Sequence, residues 1–193
     1  DTHDKTSWDF AKFEVCHHKW MDVSEDGYGV SMLNDCKYGH SALDGVMTLT
    51  LIKSGIEPNP TADQEEHTFT YALYPHAEGW RQANTVQDAM KLNQPLLSEE
   101  GGQAGCQNSF VWVDKSNVII ETVKMAEDDD GIIVRLYESE NAKTKAHIFF
   151  GEKISSVESC NCLEEIKQTI ETDGEGFEIT VKPYEIQTYR VRF

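Results

Sequence analysis

The residues best suited to chemistry lie together in one short polar segment, Asn34-Asp35-Cys36-Lys37-Tyr38. An amide, a carboxylate, a thiol, an ammonium group and a phenol could together hydrogen-bond or pair with a polar ligand. The segment follows a short apolar run, Val30–Leu33, and is followed by Gly39. A strand, a polar tip and a tight turn in this order place side chains at the rim of a sheet, where binding residues are often found.

Two interpretations of this segment stay open on the residues alone. Asn and Asp side chains commonly accept hydrogen bonds from nearby backbone N–H groups, which would make the segment an ordinary Asx turn. The same side chains could instead face a ligand from the tip of the turn. The residue types are compatible with both interpretations, so the segment is a candidate site and not an assigned one.

The chain carries no local signature of a catalytic centre of its own. It has no Gly-x-Ser-x-Gly elbow, no glycine-rich phosphate loop and no His-Glu-x-x-His motif. A glycosidase needs two carboxyl groups about 5–10 Å apart across a cleft. Sequence alone cannot select such a pair among 34 acidic residues. We therefore expect no catalytic residue in this chain.

Three groups of residues have the types of metal ligands but the wrong spacing. His17 and His18 are adjacent, so on a strand they would point to opposite faces. The five cysteines include no Cys-x-x-Cys pair. The run Asp128-Asp129-Asp130 lacks the alternating aspartates and the distal glutamate of a calcium loop. We expect no metal site, and we expect the triple aspartate to be a solvated turn.

Composition indicates a folded, acidic protein. The 193 residues, 39% of them hydrophobic, can form one domain or two small ones with a buried core. The formal net charge of −17 disfavours nucleic acid and anionic membranes as partners. The sequence shows neither an apolar leader nor an apolar span long enough for a membrane. The number of cysteines is odd, which favours reduced thiols over disulfide bonds. Together these features predict a cytoplasmic location.

Most of the chain is predicted as β-strands. Apolar and polar residues alternate at 46–53 and again at 67–75, where we expect the strand to end at Pro75 because proline cannot donate to a ladder. The apolar phase slips after Ile186, which predicts a bulge or a bend there. Enrichment in β-branched and aromatic residues predicts further strands at 110–113, 118–124, 132–137, 146–150, 177–181 and 184–193.

One helix is predicted near 81–93, where Ala83, Val86 and Met90 recur at helical spacing. The residues after it, 94–105, read as a long loop. Many short strands with turns between them, and a single helix, indicate a mainly β protein with the architecture of an antiparallel β-sandwich.

Five segments of the chain resemble the C-terminal region of glycoside hydrolase family 38 α-mannosidases, in the same order as in that family. The resemblance extends from about residue 13 to the end of the chain. The segments are Phe13-Glu14-Val15 with His18-Lys19-Trp20, Gly27 through Gly39, Thr70 through His76, Glu121–Lys124 with Ala126–Asp128 and Arg135–Glu138, and Pro183–Ile186.

The resemblance implies a parent enzyme, a retaining α-mannosidase with an aspartate nucleophile and a divalent metal, usually zinc, in an N-terminal catalytic domain. Nothing in this chain resembles that domain, so we expect a fragment without catalytic residue, metal or cofactor of its own. Residues 1–12 are expected to be disordered or a linker. Residues 13–193 are expected to form a single C-terminal β-sandwich domain, of the supersandwich, galactose-mutarotase-like type.

The resemblance also implies partners for this domain. We expect it to pack on the catalytic domain of its own polypeptide and to wall the cleft that binds an α-mannoside or oligosaccharide. A homo-oligomeric parent stays open. The side chains expected to reach the cleft lie at strand ends, and they are Asn34, Asp35, Lys37, Tyr38, Tyr74 and His76.

Asp35 or Lys37 is predicted to bond a sugar hydroxyl or a residue of the catalytic domain. Other branches of the family carry an arginine beside the aspartate, whereas this chain has Lys37 two positions further on. That departure weakens the expectation of a direct sugar contact. The alternative, that these groups hold only a turn or the domain interface, stays open.

Two other classes of function fit the same chain. A β-sandwich could bind mannose-type glycans through exposed aromatic side chains such as Trp20, Trp80 or Trp112, because aromatic faces pack on sugar rings. It could instead be a structural module that mediates oligomer contacts. Glycan binding by this chain alone would favour the first class, and its elution from a sizing column would test the second.

Overall fold

A computed structural model describes residues 6–98, 100–101 and 109–193. Within these ranges the protein is mainly β with antiparallel sheets, as predicted. The chain divides into two compact units, Asp1–Glu100 and Gly101–Phe193, here called unit 1 and unit 2. Our assignment of 1–12 as disordered or linker and of 13–193 as one domain stays a prediction. No helix among the described residues is long and apolar enough to cross a membrane.

The described part of unit 1 contains two helices and two three-stranded antiparallel sheets. Its elements are α1 (Ser7–Phe10), β1 (Val15–Cys16), β2 (Trp20–Glu25), β3 (Tyr28–Asn34), β4 (Gly39–Leu43), β5 (Val46–Thr50), β6 (Tyr71–Ala77) and α2 (Thr85–Asn93). One sheet has the strand order β1-β4-β5, and the other has the order β2-β3-β6.

Helix α2 packs on strands β2 and β3 of the second sheet. It lies inside the predicted range 81–93 and begins at Thr85. Val86 and Ala89 are buried, as expected for the apolar side of an amphipathic helix. Of the loop predicted at 94–105, residues 94–98 have no regular structure. Glu99 and residues 102–108 lie outside the described residues.

We predicted that the strand at 67–75 ends at Pro75. In the structure, strand β6 continues to Ala77. Pro75 is paired with Val30 of β3, and β6 is an edge strand of its sheet. An edge strand tolerates proline because only one side of its backbone is needed for the ladder. The consequence is that His76 lies inside the strand instead of after it.

Unit 2 is an antiparallel β-sandwich. Its strands are β7 (Val111–Val113), β8 (Val118–Met125), β9 (Ile132–Glu138), β10 (Thr144–Phe150), β11 (Ser156–Cys160), β12 (Ile166–Ile170), β13 (Gly176–Val181) and β14 (Ile186–Arg192). One sheet has the order β13-β10-β7 and the other the order β12-β11-β14-β9-β8.

The core of unit 2 lies between these two sheets. Alternate residues of each strand point inward, so both sheets contribute to one continuous apolar cluster. Each fully buried aliphatic or aromatic side chain of this kind stabilises the fold by about 1.5–3 kcal/mol. The inward-facing members are Ala146, Ile148 and Phe150 of β10, Phe177, Ile179 and Val181 of β13, Val134 and Leu136 of β9, Val157 of β11, and Tyr189 and Val191 of β14.

The prediction of a bulge after Ile186 is wrong. Strand β14 pairs with β9 in unbroken register from Ile186 to Val191. The apolar phase of β14 is misleading because both of its faces are buried: Tyr189 lies in the core while Arg190 is covered on the other face. The register shifts occur instead in β8 and β11.

A buried carboxylate connects three loops of unit 2. Glu138 Oε1 accepts hydrogen bonds from Asn117 Nδ2 at 2.9 Å and from the Glu140 backbone N–H at 2.8 Å. Its Oε2 accepts from the Tyr184 backbone N–H at 3.1 Å. Burial raises the pKa of Glu138, but these donors outweigh it and hold the pKa below its ordinary value. Glu138 and Tyr184 come from two of the segments that carry the family resemblance, and this contact joins them.

Candidate functional site

The polar tip after β3 is organised around Asn34, which is fully buried. Its Oδ1 accepts a hydrogen bond from the Lys37 backbone N–H at 2.9 Å, which closes the turn from Asn34 to Lys37. Its Nδ2 donates to His17 Nε2 at 2.8 Å. The backbone carbonyl of Asn34 accepts from Asn93 Nδ2 of α2 at 3.0 Å. Asn34 therefore holds the turn and binds it to α2.

His17 supports the same turn from β1's side. Its Nδ1–H donates to the Tyr38 carbonyl at 3.0 Å, and its backbone N–H donates to the same carbonyl at 2.8 Å. Because Nε2 accepts from Asn34, the ring is the neutral Nδ1–H tautomer. Burial, and then the proximity of His40, lowers the pKa of His17 to about 4. The imidazole is thus a neutral structural bridge at physiological pH.

Asp35 links the tip to the segment before β6. Its Oδ2 accepts from the Thr70 backbone N–H at 2.9 Å, and its own N–H donates to the Thr70 carbonyl at 3.1 Å. The second oxygen, Oδ1, is occluded from solvent and accepts no hydrogen bond of normal geometry. The Cys36 thiol beside the carboxylate, and then the Thr70 N–H, hold the pKa of Asp35 below its ordinary value. Asp35 is an ionised anchor of the tip.

Lys37 and Tyr38 are the tip residues that still offer functional groups. Lys37 Nζ lies 4.9 Å from the centre of the Phe69 ring, a cation–π contact. Tyr38 is exposed, and its ring centre lies 5.0 Å from that of His18. The ammonium group of Lys37 forms no ion pair among the described residues. The tip therefore presents a cation and a phenol on a frame made by Asn34 and Asp35.

Tyr74 and His76 do not join this tip. In the β3–β6 ladder Tyr71 pairs with Asn34, whereas Tyr74 pairs with Ser31 and His76 with Gly29. At about 3.3 Å per residue, Tyr74 is displaced from the tip by roughly 10 Å and His76 by roughly 17 Å. The structure thus divides the six candidate residues into two groups at different positions along one sheet.

The second group is a buried polar network around His76. His76 Nε2 lies 2.8 Å from Asp22 Oδ2 and 3.1 Å from Ser31 Oγ. Ser31 Oγ also donates to Asp22 Oδ2 at 2.7 Å and lies 2.9 Å from Thr85 Oγ1 of α2. Gly29 faces His76, and a Cβ at position 29 would overlap the imidazole Cε1. Sequence reasoning missed Asp22 and Ser31, whose only signal is their position on the face of the sheet that α2 covers, and it missed Thr85, the first residue of α2.

This network has the residue types of a serine hydrolase but not the geometry. In a catalytic triad the hydroxyl and the carboxylate bind opposite nitrogens of the imidazole. Here Ser31 and Asp22 both contact Nε2, and Nδ1 faces the Glu78 carbonyl at 3.2 Å. The side chains are also buried, so no substrate can reach Ser31. The network stabilises the packing of α2 on the sheet.

Tyr74 has a structural contact of its own. Its hydroxyl donates to the Ala83 carbonyl at 3.0 Å, in the turn that precedes α2. Hydrogen bonding to Asp88, followed by burial, raises the pKa of Tyr74. Tyr74 therefore fixes the start of α2 against β6.

The triple aspartate is engaged by arginines of β14. Arg190 Nη1 lies 2.7 Å from Asp128 Oδ2, and Arg192 Nη2 lies 2.8 Å from Asp130 Oδ2. These guanidinium groups hold the pKa values of Asp128 and Asp130 below their ordinary range. The turn is thus half of an ion-pair network and not simply solvated. Across the described ranges, no three His, Cys, Asp or Glu side chains are grouped to hold a metal ion.

The three candidate tryptophans differ in what covers them. Trp20 and Trp80 contact each other with ring centres 5.0 Å apart, and the Arg81 guanidinium lies 4.3 Å above the Trp80 ring. Trp112 is 42% exposed and stacks on Phe149 on the outer face of β7 and β10. Of the three, Trp112 has the accessible ring face.

Two family models match the sequence. The model described as the glycosyl hydrolases family 38 C-terminal domain matches residues 1–61. The model described as the glycosyl hydrolases family 38 C-terminal beta sandwich domain matches residues 117–189. The first match lies in unit 1 and the second in unit 2.

Three characterised proteins are similar over most of this chain. Alpha-mannosidase G of Dictyostelium discoideum is 36% identical over 197 residues, covering 98% of this chain and 18% of its own length. Human alpha-mannosidase 2C1 is 38% identical over 84% of this chain and 16% of its own length. An alpha-mannosidase of Saccharomyces cerevisiae is 34% identical over 100% of this chain and 20% of its own length. The chain spans no more than about a fifth of these relatives.

Two crystal structures from Enterococcus faecalis share the fold. One is of a protein in glycosyl hydrolase family 38, with a TM-score of 0.69 and 20% identity over 92% of this chain and 22% of that protein. The other is of an alpha-mannosidase from strain V583, with a TM-score of 0.71 and 21% identity over 92% of this chain and 21% of that protein. At these identities the likeness concerns the fold.

Proposed function

Because this chain belongs to the C-terminal region of glycosyl hydrolase family 38, we propose that it is part of a retaining, metal-dependent α-mannosidase that cleaves α-mannosides. The observation that carries the proposal is the 36% identity to alpha-mannosidase G across 98% of this chain. The proposed activity is that of the parent polypeptide. A cytoplasmic location and a homo-oligomeric parent stay predictions.

The proposed chemistry is assigned to a catalytic domain outside this chain. A retaining glycosidase uses two carboxyl groups about 5 Å apart, one of which forms the glycosyl-enzyme bond. The metal expected in this family would polarise sugar hydroxyls. The donor sets of the described residues do not fit such a metal.

We assign this chain the role of packing on the catalytic domain. The support is an apolar surface on the face of the β2-β3-β6 sheet opposite to α2. There Leu73 is 63% exposed and lines, with Val30 and Met32, an open groove of about 540 Å³. Tyr28 and Tyr71 on the same sheet are also exposed. Contiguous apolar surface of this kind is typical of an interaction site, and the proposed occupant is the catalytic domain of the same polypeptide.

Within this role, the tip after β3 is the segment proposed to border the active-site cleft. Lys37 and Tyr38 supply an ammonium group and a phenol that can bond sugar hydroxyls or a residue of the catalytic domain. Asn34 and Asp35 position them through the bonds to His17 and Thr70. Tyr74 and His76 act further along the sheet as supports of α2.

Kinetics of the full-length parent polypeptide test this proposal. It should hydrolyse an aryl α-mannoside, and proton NMR of the first product should show retention of the α configuration. Lys37→Ala should lower kcat/KM, while Lys167→Ala, which changes an exposed lysine of unit 2, should not. The 193-residue chain alone should show no hydrolysis. Activity of the chain alone, or an inverted first product, would contradict the assignment.

A further inference from the structure

The outer edge of strand β5 is the one sheet edge among the described residues that carries no feature to prevent pairing. β5 is the last strand of the β1-β4-β5 sheet, so one side of its backbone faces no other strand of that sheet. Residues 46–52, Val-Met-Thr-Leu-Thr-Leu-Ile, contain neither a charge nor a proline nor a glycine. An apolar edge of this kind, with free N–H and C=O groups, is a template for another strand.

Every other edge strand of the described sheets has a feature that discourages pairing. β1 and β7 are only two and three residues long. β6 contains a proline, and β2, β8, β12 and β13 contain charged residues, which are the usual means of blocking unwanted strand addition. These residues are Pro75 of β6, Asp22 and Glu25 of β2, Glu121 and Lys124 of β8, Lys167 of β12, and Glu178 of β13. The contrast indicates that the β5 edge has a partner strand.

The strand pattern also continues beyond the strand that β5 now pairs with. Apolar and polar residues alternate through 46–53, which predicted a strand of that length. β4 pairs with β5 only from Val46 to Thr50. The backbone N–H groups of residues 51–54 take part in no backbone hydrogen bond among the described residues. Leu51 and Ile52 are 39% and 50% exposed, so their side chains also lack a neighbouring strand.

The occupant that fits this edge best is a strand of the same polypeptide, and not a second copy of this chain. The chain spans no more than about a fifth of its relatives, so a parent of their length has many further segments. Met47 of β5 lines, with Val30 and Leu73, the groove proposed to hold the catalytic domain, so the edge borders that surface. Two copies, each with a formal charge of −17, would repel each other.

We propose that the free edge of β5, together with residues 51–53, receives an extended strand of the parent polypeptide from outside this chain, by β-strand addition. Main-chain hydrogen bonds hold the added strand, and its side chains cover Leu51 on one face of the sheet and Ile52 on the other. The β1-β4-β5 sheet thereby becomes four-stranded. This inference rests on the proposed function only in that the chain is part of a longer enzyme.

Hydrogen–deuterium exchange, read by mass spectrometry, tests the pairing. Amides of residues 51–54 should exchange rapidly in the 193-residue chain alone, because no backbone acceptor protects them. In the full-length parent they should exchange roughly a hundredfold or more slowly. Amides of residues 65–68 also form no backbone hydrogen bond among the described residues. They are the internal control and should exchange rapidly in both proteins.

A charge placed on the edge separates pairing from stability. Ile52→Lys in the parent should speed the exchange of residues 51–54 by roughly tenfold, because lysine on an edge strand opposes strand addition. Ile166→Lys is the matched control, since Ile166 is also 50% exposed but lies on β12, beside Lys167. In the 193-residue chain alone, neither variant should shift the melting temperature by more than about 2 °C, because both side chains are exposed.

Several results would overturn this pairing. These are rapid exchange at 51–54 in the parent, equal slowing at 51–54 and 65–68, and equal effects of the two lysine variants. Elution of the chain alone as a dimer, with slow exchange at 51–54, would assign the edge to a second copy instead. Hydrolysis by the parent with rapid exchange at 51–54 would refute the pairing and leave the proposed function standing. Slow exchange at 51–54 in a parent that does not hydrolyse α-mannosides would do the reverse.

Discussion

Unit 1 should lose stability as the pH falls below about 6.5, because His17 is neutral in its folded environment. An unfolded histidine takes up a proton near pH 6.5, whereas burial and then His40 lower the pKa of His17 to about 4 in the folded protein. Below pH 6.5 the unfolded state therefore binds more protons than the folded state. The contribution of His17 to stability is complete above pH 6.5 and is lost progressively between pH 6.5 and pH 4.

The size of this loss follows from the two pKa values. One pKa unit corresponds to about 1.4 kcal/mol of differential stability. A fall from 6.5 to about 4 thus gives a total of about 3 kcal/mol. About 2 kcal/mol of this is lost by pH 5. Protonation would also place a donor at Nε2, which now accepts the Asn34 amide at 2.8 Å. The turn from Asn34 to Lys37 should therefore loosen first.

Urea unfolding of the full chain at pH values from 8 to 4 measures this effect. Tryptophan fluorescence reports mainly on unit 1, because Trp8, Trp20 and Trp80 lie there. His17→Gln should be less stable than wild type at pH 8 by about 1–2 kcal/mol, since two hydrogen bonds of the imidazole are changed. The stability of His17→Gln should also change much less between pH 6.5 and pH 4 than the stability of the wild type does.

The control is His67→Gln, a substitution in unit 1 at a residue that is not among the groups setting the pKa of His17, so it should leave the His17 contribution to the slope in place. Burial also lowers the pKa of His40, which acts in the same direction. His40 is present in both wild type and His17→Gln, so the difference between those two proteins isolates His17. Equal slopes in wild type and His17→Gln would refute the argument. A rise in wild-type stability between pH 6.5 and pH 5 would refute its sign.

Three further predictions concern the tip after β3, the buried carboxylate of unit 2 and the contact between Gly29 and His76 in unit 1. Asp35→Ala in the full-length parent should lower kcat/KM toward an aryl α-mannoside more than tenfold, about 1.4 kcal/mol, because the tip loses the side-chain bond from Asp35 to the Thr70 backbone N–H before β6. Glu138→Ala should destabilise unit 2 by about 3 kcal/mol or more in urea unfolding, because buried N–H donors lose their acceptor. Gly29→Ala should destabilise unit 1 by about 1–3 kcal/mol in the same assay, because its methyl group would overlap His76.

Each of these has an outcome that would count against it. Near-wild-type kinetics of Asp35→Ala, with an unchanged melting temperature, would remove the tip from the substrate site. Glu138→Ala should be compared with Glu152→Ala, which changes an exposed glutamate and should stay within about 0.5 kcal/mol of wild type. Similar stabilities of those two variants would contradict the role of Glu138. An unaltered stability of Gly29→Ala would show that His76 has another position open to it.

The strands were predictable where the pattern that reveals them is local. Strand β10 was predicted from its local enrichment in β-branched and aromatic residues, and Ala146, Ile148 and Phe150 lie in the core because one face of its sheet is buried. The same holds for the helix near 81–93, whose buried side is visible in its spacing. The prediction was wrong in two strands where the local pattern does not report burial. Pro75 lies inside β6, which is an edge strand, and β14 is covered on both faces.

The candidate site divides in the same way. The residue types and the short spacing between Asn34 and Tyr38 are enough to predict a polar tip after a strand. Whether a given side chain there faces a ligand or the protein depends on partners far away in sequence, such as His17 for Asn34, or Asp22 for His76. Those contacts arise only when separate strands pair and α2 covers them, so the sequence determined which groups are present and the tertiary structure decided which remain accessible.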